Sequence, residues 1–430
     1  MNAPDPAIQA LAAEAERLGR QGQSATSGRL WEQVLAKSPG HPGALNFLGT
    51  RALASGDLVQ ARQWLEAATR AQPPMAIAHA NLARVLAQAG EPEAALAALD
   101  RALKIEPGAY AAHLEKARLY GQLGRVRDQA LAYQSALQLA PLQVLQMPEL
   151  RDTFDQAQRL VAANQAELGA FLDARLADLR SGVSSRKLAR FDECLDVTLG
   201  RKPLQLQRPA MFHVTGMPAI AFFEREDLPW SAAAEAYTPA IRAELAAVLA
   251  QDEAGFIPYV QTRADEPVGQ FADLDRNPDW SAYFLWKHGR RIESHIARCP
   301  QAMAMLEEVP QVEVTHRAPA AFFSALKPRT RIPPHNGATN CRLTVHLPLV
   351  IPPNCAIRVG NHTRRWVPGE LLAFDDTMEH AAWNDSDQLR VVMIFDVWHP
   401  MLSDTERQLV RESLEGIMAY YGRDAPLGEL

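Results

Sequence analysis

The sequence has few of the residues that mark several large classes of protein. Only four cysteines occur in 430 residues, at positions 194, 299, 341 and 355, and none form a CxxC pair or have zinc-site spacing. No apolar stretch reaches the roughly 18–20 residues of a membrane-spanning helix. The first residues also lack the basic start and apolar run of a secretory signal. An even number of cysteines would permit disulfides. These features nevertheless predict a cytoplasmic protein whose cysteines pack as small hydrophobic residues.

Positive charge is scarce as well. Lys and Arg number 44 against 50 Asp and Glu, the net charge is −6, and no basic block interrupts the chain. Because nucleic-acid backbones are bound through clustered cations, the composition predicts no nucleic-acid partner. The length and the 47% hydrophobic content are typical of a globular protein with two or three domains.

A repeat of fixed period fills the first third of the chain. One series of prolines recurs every 34 residues: Pro39, Pro73, Pro107 and Pro141. A series of glycines keeps the same interval: Gly22, Gly56, Gly90 and Gly124. Glycine permits positive φ at the turn between two paired helices, and proline ends the second helix. The period is that of tetratricopeptide repeats, so residues 8–141 are predicted to form an α-solenoid of this type.

Small residues at matching positions of successive repeats let the two helices of each pair approach closely: Gly49, Ala83 and Ala117. No single unit can bury its apolar face alone, so neighbouring units stack. The first repeat, about 8–41, is degenerate and is expected to act as a cap. The array is expected to bind a peptide or protein, with a passive spacer or a dimerisation element as the alternative. Residues 142–202 are predicted to be a helical extension or linker.

From about residue 203 the helical periodicity gives way to scattered prolines and more aromatic residues. One helix is predicted over 238–251, with Thr238 as its N-cap and Pro239 in its first turn. Short apolar runs follow, separated by Pro, Gly and Asn: 316–326, 341–351, 355–360, 364–374 and 389–398. Their spacing predicts an antiparallel sandwich or barrel within a domain over 203–430.

One of these runs alternates cleanly between apolar and polar residues. Its apolar face holds Leu343, Val345, Leu347 and Leu349. Its polar face holds Arg342, Thr344 and His346. A strand that is polar on one side can line a wet cavity, and inward-pointing Arg and His side chains suit an anionic ligand.

The twelve histidines include two that point to a metal. Three others lie in the repeat region and are expected on the solenoid surface: His41, His79 and His113. His335 precedes the alternating strand, His380 lies far along the chain at the end of another predicted strand, and Arg390 follows ten residues later. This order is expected of an Fe(II)- and 2-oxoglutarate-dependent oxygenase, in which imidazoles bind iron and a guanidinium pairs with a carboxylate. Spacing alone also fits ordinary core or surface histidines.

Longer stretches make the comparison specific. The C-terminal region resembles the aspartyl/asparaginyl β-hydroxylase family in WSAYFLWKHGRR (280–291), HNGATNCRLTVHLPLVIP (335–352), GELLAFDDTMEHAAWND (369–385) and LRVVMIFDVWHP (389–400). The resemblance covers roughly 205–410. It implies a double-stranded β-helix, or jelly-roll, fold and an Fe(II)-dependent hydroxylase that consumes 2-oxoglutarate and O2.

The resemblance also implies roles for particular residues. His335 and His380 match the two iron ligands. The residues that match the cosubstrate-binding positions are Ser324 and Arg390, at the distal carboxylate of 2-oxoglutarate, and His346, at the other carboxylate. Thr344 stands where family members have an Arg, and Arg342, on the same face, is the candidate to compensate.

The third ligand of a typical iron site is absent. Most non-haem iron oxygenases add a carboxylate two residues after the first His, and here that position is Gly337. The resemblance implies two protein ligands, with water in the vacancy. Asp375 and Asp376 are expected beside the metal ligands as hydrogen-bonding partners, with direct ligation as the alternative. A halide at the vacancy, giving chlorination, is a further alternative that the surrounding motifs disfavour.

The expected reaction is hydroxylation of an unactivated carbon, the β-carbon of Asp or Asn or a similar side chain in a peptide or protein. The repeat array favours a polypeptide substrate. A small molecule, a free amino acid or a lipid acyl chain is the alternative substrate. A non-catalytic scaffold, in which the repeats bind a partner and the barrel is inactive, is the alternative from another functional class.

Overall fold

A computed structural model of the chain describes residues 5–71, 74–262, 269 and 271–422. The chain divides into two compact units between Arg201 and Lys202. The helices of the first unit are α1 (Pro6–Arg20), α2 (Ser24–Lys37), α3 (Pro42–Ala54), α4 (Leu58–Thr69), α5 (Ala76–Gln88), α6 (Pro92–Ile105), α7 (Tyr110–Gln122), α8 (Val126–Leu139), α9 (Leu142–Leu145), α10 (Arg151–Arg180) and α11 (Ser185–Thr198). Pro73 of the proline series lies outside the described residues.

The predicted repeat is present as a series of paired helices. Each glycine of the 34-residue series has positive φ at the turn between two helices: Gly22 at 76°, Gly56 at 81°, Gly90 at 80° and Gly124 at 69°. The apolar side chains of α4, α5 and α6 form one continuous buried cluster with residues of α3 and α7. Neighbouring repeats therefore share a core, as a solenoid requires.

Close helix approach inside a repeat is visible at Gly49. A Cβ atom there would lie 2.5 Å from Cγ of Leu65 on the partner helix α4. Ala83 and Ala117, at the matching positions, are buried. One expectation about this region is wrong. His79 is buried rather than exposed on the surface, because it lies on the packed face of α5.

The second unit contains two antiparallel sheets. Its strands are β1 (Phe222–Phe223), β2 (Ile257–Pro258), β3 (Trp280–Lys287), β4 (Arg290–Arg291), β5 (Ala321–Leu326), β6 (Thr330–His335), β7 (Arg342–Val350), β8 (Cys355–Val359), β9 (His362–Arg364), β10 (Leu372–Phe374), β11 (His380–Asn384) and β12 (Arg390–Trp398). The larger sheet has the order β1-β10-β7-β12-β5-β3-β2, with β4 paired to β3. The smaller sheet has the order β6-β11-β8-β9.

The alternation along β7 divides the unit into an outer core and an inner wall. The helices of this unit are α12 (Ser231–Ala236), α13 (Thr238–Gln251), α14 (Glu293–Ile296), α15 (Pro300–Glu307) and α16 (Asp404–Tyr421). The four apolar residues of β7 pack in one cluster with Ile241 of α13 and Leu306 of α15. A second cluster joins the larger sheet to the smaller one, for example through Val392 and Ile332. The predicted two faces of β7 are confirmed.

Two local predictions are wrong, and the strand that ends at His335 was not predicted. Thr238 does not cap α13; its hydroxyl donates to the carbonyl of Glu235, because α12 leads almost directly into α13. His380 begins β11 instead of ending the preceding strand. The segment before His335 is itself a strand, although it contains Pro333 and Pro334. It lies at the edge of the smaller sheet, where a missing N–H is tolerated.

Two further features bear on the sequence expectations. Cys299, Cys341 and Cys355 are buried and Cys194 is exposed, and all four are free thiols. Within the described ranges, the helices lack the combination of length and apolar content needed to cross a bilayer.

Substitution of Gly49 with Ala should destabilise the repeat array, because the new methyl group overlaps Leu65, which is fully buried. We expect the free energy of unfolding to fall by about 1–3 kcal/mol. The measurement is denaturant unfolding of the full chain, followed by far-UV circular dichroism. Gly121→Ala is the matched control, because its Cβ meets only the flexible end of Gln129 and Ala favours a helix. Equal stability of the Gly49 variant and the wild type would contradict the close packing.

Candidate functional site

A cavity of about 480 Å³ lies within the second unit and is lined by residues of both sheets. The lining includes seven of the eight sequence-predicted site residues: Ser324, His335, Arg342, His346, Asp376, His380 and Arg390. Asp375 is the exception. Its carboxylate accepts hydrogen bonds from the Thr377 backbone and hydroxyl and from Gln207, and so it holds the turn before β11.

The two candidate metal ligands are brought together by strand pairing. His335 at the end of β6 is the register partner of His380 at the start of β11, and their ring centroids lie 3.9 Å apart. Nδ1 of His335 is 2.7 Å from the Pro333 carbonyl, and Nδ1 of His380 is 3.1 Å from the Met378 carbonyl. A carbonyl only accepts, so each neutral ring carries its proton on Nδ1. Both Nε2 lone pairs are then available to a metal.

Burial keeps both imidazoles neutral. It lowers the pKa of His335 to about 3, with help from the neighbouring His380. It lowers the pKa of His380 to about 4. Neutral imidazole is the form that binds a metal. Within the described part of the chain, no group of three or more His, Cys, Asp or Glu side chains is placed to hold a metal ion. The neutral imidazoles of His335 and His380 are chemically suited to a metal bound by two histidines.

The space that a carboxylate at position 337 would occupy is taken by Asp376, which lies in the connection between β10 and β11. A Cβ atom at Gly337 would overlap the carboxylate of Asp376. The Gly337 N–H donates to the Asp376 carbonyl at 2.7 Å, which fixes the two backbones side by side. Any side chain at Gly337 would have to displace Asp376. Glycine is required here because another carboxylate already occupies the space.

Asp376 belongs to a buried charged cluster. Arg342 contacts Asp376 at 3.0 Å through one terminal nitrogen and Asp396 at 2.8 Å through the other. The Thr344 hydroxyl lies 2.7 Å from Arg342 and 3.0 Å from Asp376. Burial raises the pKa of the Asp396 carboxyl to about 6, although Arg342 opposes this shift. Both terminal nitrogens of Arg342 are thus engaged by carboxylates of the chain.

Asp396 was not predicted from the sequence. It lies on the face of β12 that carries Arg390 and points into the cavity, whereas Val397 points into the outer core. The period-two pattern of β12 contained this signal, because Asp396 and Arg390 are six residues apart on one strand.

Arg390 is the other buried cation in the cavity, and its surroundings differ from those of Arg342. It is 1% exposed. One terminal nitrogen donates to the Ser324 carbonyl at 3.3 Å and to its hydroxyl at 3.5 Å. The Nε atom has no hydrogen-bond partner, and no carboxylate of the described residues forms an ion pair with this side chain. Burial lowers its pKa to about 10. An unneutralised guanidinium of this kind is suited to an anion.

Two tryptophans that the sequence did not single out organise this end of the cavity. The Trp280 indole donates to the Ser324 hydroxyl at 3.2 Å. The Trp366 indole donates to Nδ1 of His346 at 3.2 Å, and the Arg390 guanidinium lies 4.8 Å from the Trp366 ring centroid. Burial and the nearby Arg390 lower the pKa of His346 well below its usual range. No sequence signal identified Trp366, which lies between two strands.

One wall of the cavity is aromatic. Tyr259 stacks on Trp280 at a centroid distance of 4.3 Å and on Phe322 at 5.3 Å. Phe284 adjoins Phe322 at 5.0 Å, and the Lys287 ammonium lies 4.7 Å above the Phe284 ring. This wall is a surface for apolar groups, with one cation at its margin.

Comparisons with known proteins found matches in both parts of the chain. Residues 235–400 match the family model described as aspartyl/asparaginyl beta-hydroxylase. Residues 12–76 and 76–119 match models of tetratricopeptide repeats.

Individual relatives agree with the family match. The human aspartyl/asparaginyl beta-hydroxylase is 40% identical over 149 residues, which is 34% of this chain and 20% of that protein. The ornithine lipid ester-linked acyl 2-hydroxylase of Rhizobium tropici is 34% identical over 191 residues, 44% of this chain and 63% of that protein.

A mutant O-GlcNAc transferase of Thermobaculum terrenum is a similar solved structure, with 28% identity, coverage of 32% of this chain and 27% of that chain, and a TM-score of 0.29.

These matches span less than two thirds of the length of each of the two relatives. The family match is nevertheless specific, since it contains the strands that carry both histidines, Arg342 and Arg390. The chain therefore contains, over residues 235–400, a domain that matches the aspartyl/asparaginyl beta-hydroxylase family model, and segments that match tetratricopeptide repeats lie ahead of that domain.

Proposed function

We propose that the second unit is an Fe(II)- and 2-oxoglutarate-dependent hydroxylase. The observation that carries the proposal is Arg390, a buried guanidinium without a carboxylate partner among the described residues, in the same cavity as the paired His335 and His380. Burying a lone charge is costly unless a ligand neutralises it. A metal would bind the two imidazoles, and a cosubstrate with a carboxylate at each end would neutralise Arg390.

The proposed assignments are those that the sequence resemblance implies, applied to side chains that line one cavity. His335 and His380 would hold the iron through their free Nε2 atoms. Ser324 and Arg390 would bind the distal carboxylate of 2-oxoglutarate, and His346 the other carboxylate. When bound, the iron and 2-oxoglutarate together supply the oxidising power that converts a C–H bond of the substrate to C–OH with O2.

The charged cluster would act beside the metal. Asp376 takes the space of the usual carboxylate ligand, while its contacts to Arg342 and Thr344 restrain it. We propose that it orients groups next to the metal instead of binding the metal directly. Arg342 remains a proposed contact of the cosubstrate. That role would require one of its two ion pairs to open.

We also propose the double-stranded β-helix for this unit. The support is the pair of antiparallel sheets that share an inner core and enclose the cavity. In this arrangement the two proposed iron ligands, His335 and His380, come from the smaller sheet, and Ser324, His346 and Arg390 come from the larger sheet.

For the substrate, we propose a side chain of a peptide or protein, with the β-carbon of Asp or Asn as the first candidate. The name of the human relative supports this choice. The repeats support it too, because arrays of this kind commonly bind polypeptides. A lipid acyl chain is the second candidate. The aromatic wall of Tyr259, Phe284 and Phe322 favours it, and the Rhizobium relative is named an acyl 2-hydroxylase.

The direct test supplies the full chain with Fe(II), 2-oxoglutarate and O2 together with peptide libraries or acyl lipids. We expect succinate to form and a product to gain the mass of one oxygen. The scaffold alternative predicts neither succinate nor a mass gain with either class. The class of compound that gains oxygen decides between the two substrate candidates.

Replacement of His380 with Ala should abolish metal binding and turnover, because one imidazole remains and the described residues place no third ligand beside it. Isothermal titration of the apoprotein with Mn(II) as a redox-stable substitute, and succinate formation with Fe(II), are the measurements. His213→Ala, at an exposed position of the same unit, should behave as wild type. Wild-type Mn(II) affinity and turnover in the His380 variant would refute the metal site.

Replacement of Arg390 with Met should weaken 2-oxoglutarate binding by at least about 30-fold, since the loss of one partner of a buried charge pair costs about 2–5 kcal/mol. Mn(II) affinity should stay near the wild-type value. The apoprotein should not become less stable when the charge is lost, because a buried charge without a partner is itself unfavourable. Titration of the Mn(II)-loaded protein with 2-oxoglutarate measures the effect.

Arg331→Met is the matched control for this experiment. Arg331 lies on β6 with an exposed side chain that pairs with Asp385. Its loss should leave 2-oxoglutarate affinity unchanged. An Arg390 variant that binds 2-oxoglutarate as tightly as this control would place the cosubstrate elsewhere.

A further inference from the structure

Trp366 contacts two of the proposed cosubstrate-binding residues at once. Its indole N–H donates to Nδ1 of His346 at 3.2 Å. Its ring lies under the guanidinium of Arg390, with 4.8 Å from Cζ to the ring centroid. All three side chains are buried. Arg390 and His346 lie on neighbouring strands, β12 and β7, whereas Trp366 comes from the connection between β9 and β10.

The hydrogen bond determines which nitrogen of His346 carries a proton. An indole N–H is a donor only, so Nδ1 of His346 has to be the acceptor and cannot be protonated. A neutral imidazole carries its single proton on the other nitrogen, Nε2. His346 therefore has a donor at Nε2, and a carboxylate accepts such a hydrogen bond. The opposite tautomer would present a lone pair at Nε2 and would repel a carboxylate.

This tautomer differs from that of the paired histidines. Nδ1 of His335 and Nδ1 of His380 face backbone carbonyls, which place the proton on Nδ1 and leave Nε2 as an acceptor for a metal. At His346 the partner of Nδ1 is a donor instead. The same cavity thus contains both imidazole tautomers, and the group that contacts each Nδ1 determines which one forms.

The second contact of Trp366 concerns Arg390. A guanidinium over an indole face gains electrostatic stabilisation that grows as water is excluded. Apart from this ring, the hydrogen bonds of Arg390 to the described residues are the long ones to Ser324, at 3.3 and 3.5 Å. The indole face thus stabilises the positive charge of Arg390 without neutralising it, which leaves the guanidinium available to an anion.

We propose that Trp366 is a positioning residue for the cosubstrate, which holds His346 in the Nε2–H tautomer and fixes Arg390 from beneath. Trp366 is not one of the described residues that line the cavity, so it would act on the cosubstrate through His346 and Arg390. The cosubstrate part of this inference rests on the proposed function. The tautomer of His346 does not, and it can be measured in the apoprotein.

The test is Trp366→Phe in the full chain, because Phe keeps an aromatic face but loses the N–H donor. Nitrogen-15 NMR of histidine-labelled apoprotein reports which ring nitrogen is protonated, and the His346 signals are assigned by their loss in His346→Gln. We expect a protonated Nε2 and a bare Nδ1 in the wild type. In the Phe variant we expect a mixture of tautomers and 2-oxoglutarate affinity of the Mn(II)-loaded protein reduced about tenfold.

Trp383→Phe is the matched control. Trp383 lies on β11 of the same unit, where its ring contacts the exposed Arg331 instead of a cavity residue. Its replacement should change neither the His346 tautomer nor 2-oxoglutarate affinity. A tryptophan whose loss merely loosens the unit would not alter the tautomer selectively.

The outcomes separate the two proposals. A wild-type His346 with its proton on Nδ1 would overturn the inference, even if the Phe variant fails to fold. So would a Phe variant with the wild-type tautomer and affinity. If the tautomer depends on Trp366 but the wild type does not bind 2-oxoglutarate, the proposed function fails and the control of His346 by Trp366 stands.

Discussion

The antiparallel pairing of β6 with β11 is the constraint on which the candidate site depends. It makes His335 and His380 register partners although they are far apart in the chain. It also places Gly337 against Asp376, because both lie just beyond the paired histidines. This local geometry gives two paired imidazoles with a carboxylate close by, and the proposed metal site is based on that arrangement. A shift of one residue in the register would turn one ring away from the other.

Charge balance distinguishes the two buried guanidiniums of the larger sheet. Arg342 is matched by Asp376 and Asp396, so its charge is neutralised within the chain. Arg390 has only hydroxyl, carbonyl and aromatic contacts among the described residues. The free energy of burying a charge makes the second arrangement unfavourable without a ligand. The difference supports Arg390 as the proposed anion-binding group, whereas Arg342 could take that role only if one of its ion pairs opened.

The sequence predicted more of the fold than of the contacts. The 34-residue period located the repeats, because each unit obeys the same local rules for turns and helix ends. The alternation of β7 assigned both of its faces, because side chains of a strand point to opposite sides. Thr238 and His380 were placed wrongly in their elements, since one depends on the preceding helix and the other on which strands pair. Neither is a local property of the sequence.

The sequence by itself therefore determined the repeat array, the β-rich domain, and the residue types able to bind a metal and an anion. Short-range periodicity and long motifs carry that information. Only the tertiary structure decided that Asp396 completes the pairing of Arg342, that Asp375 holds a turn outside the cavity, and that Trp366 joins His346 to Arg390. These are contacts between segments distant in the chain. They depend on strand order and register, which the residues of any single segment do not specify.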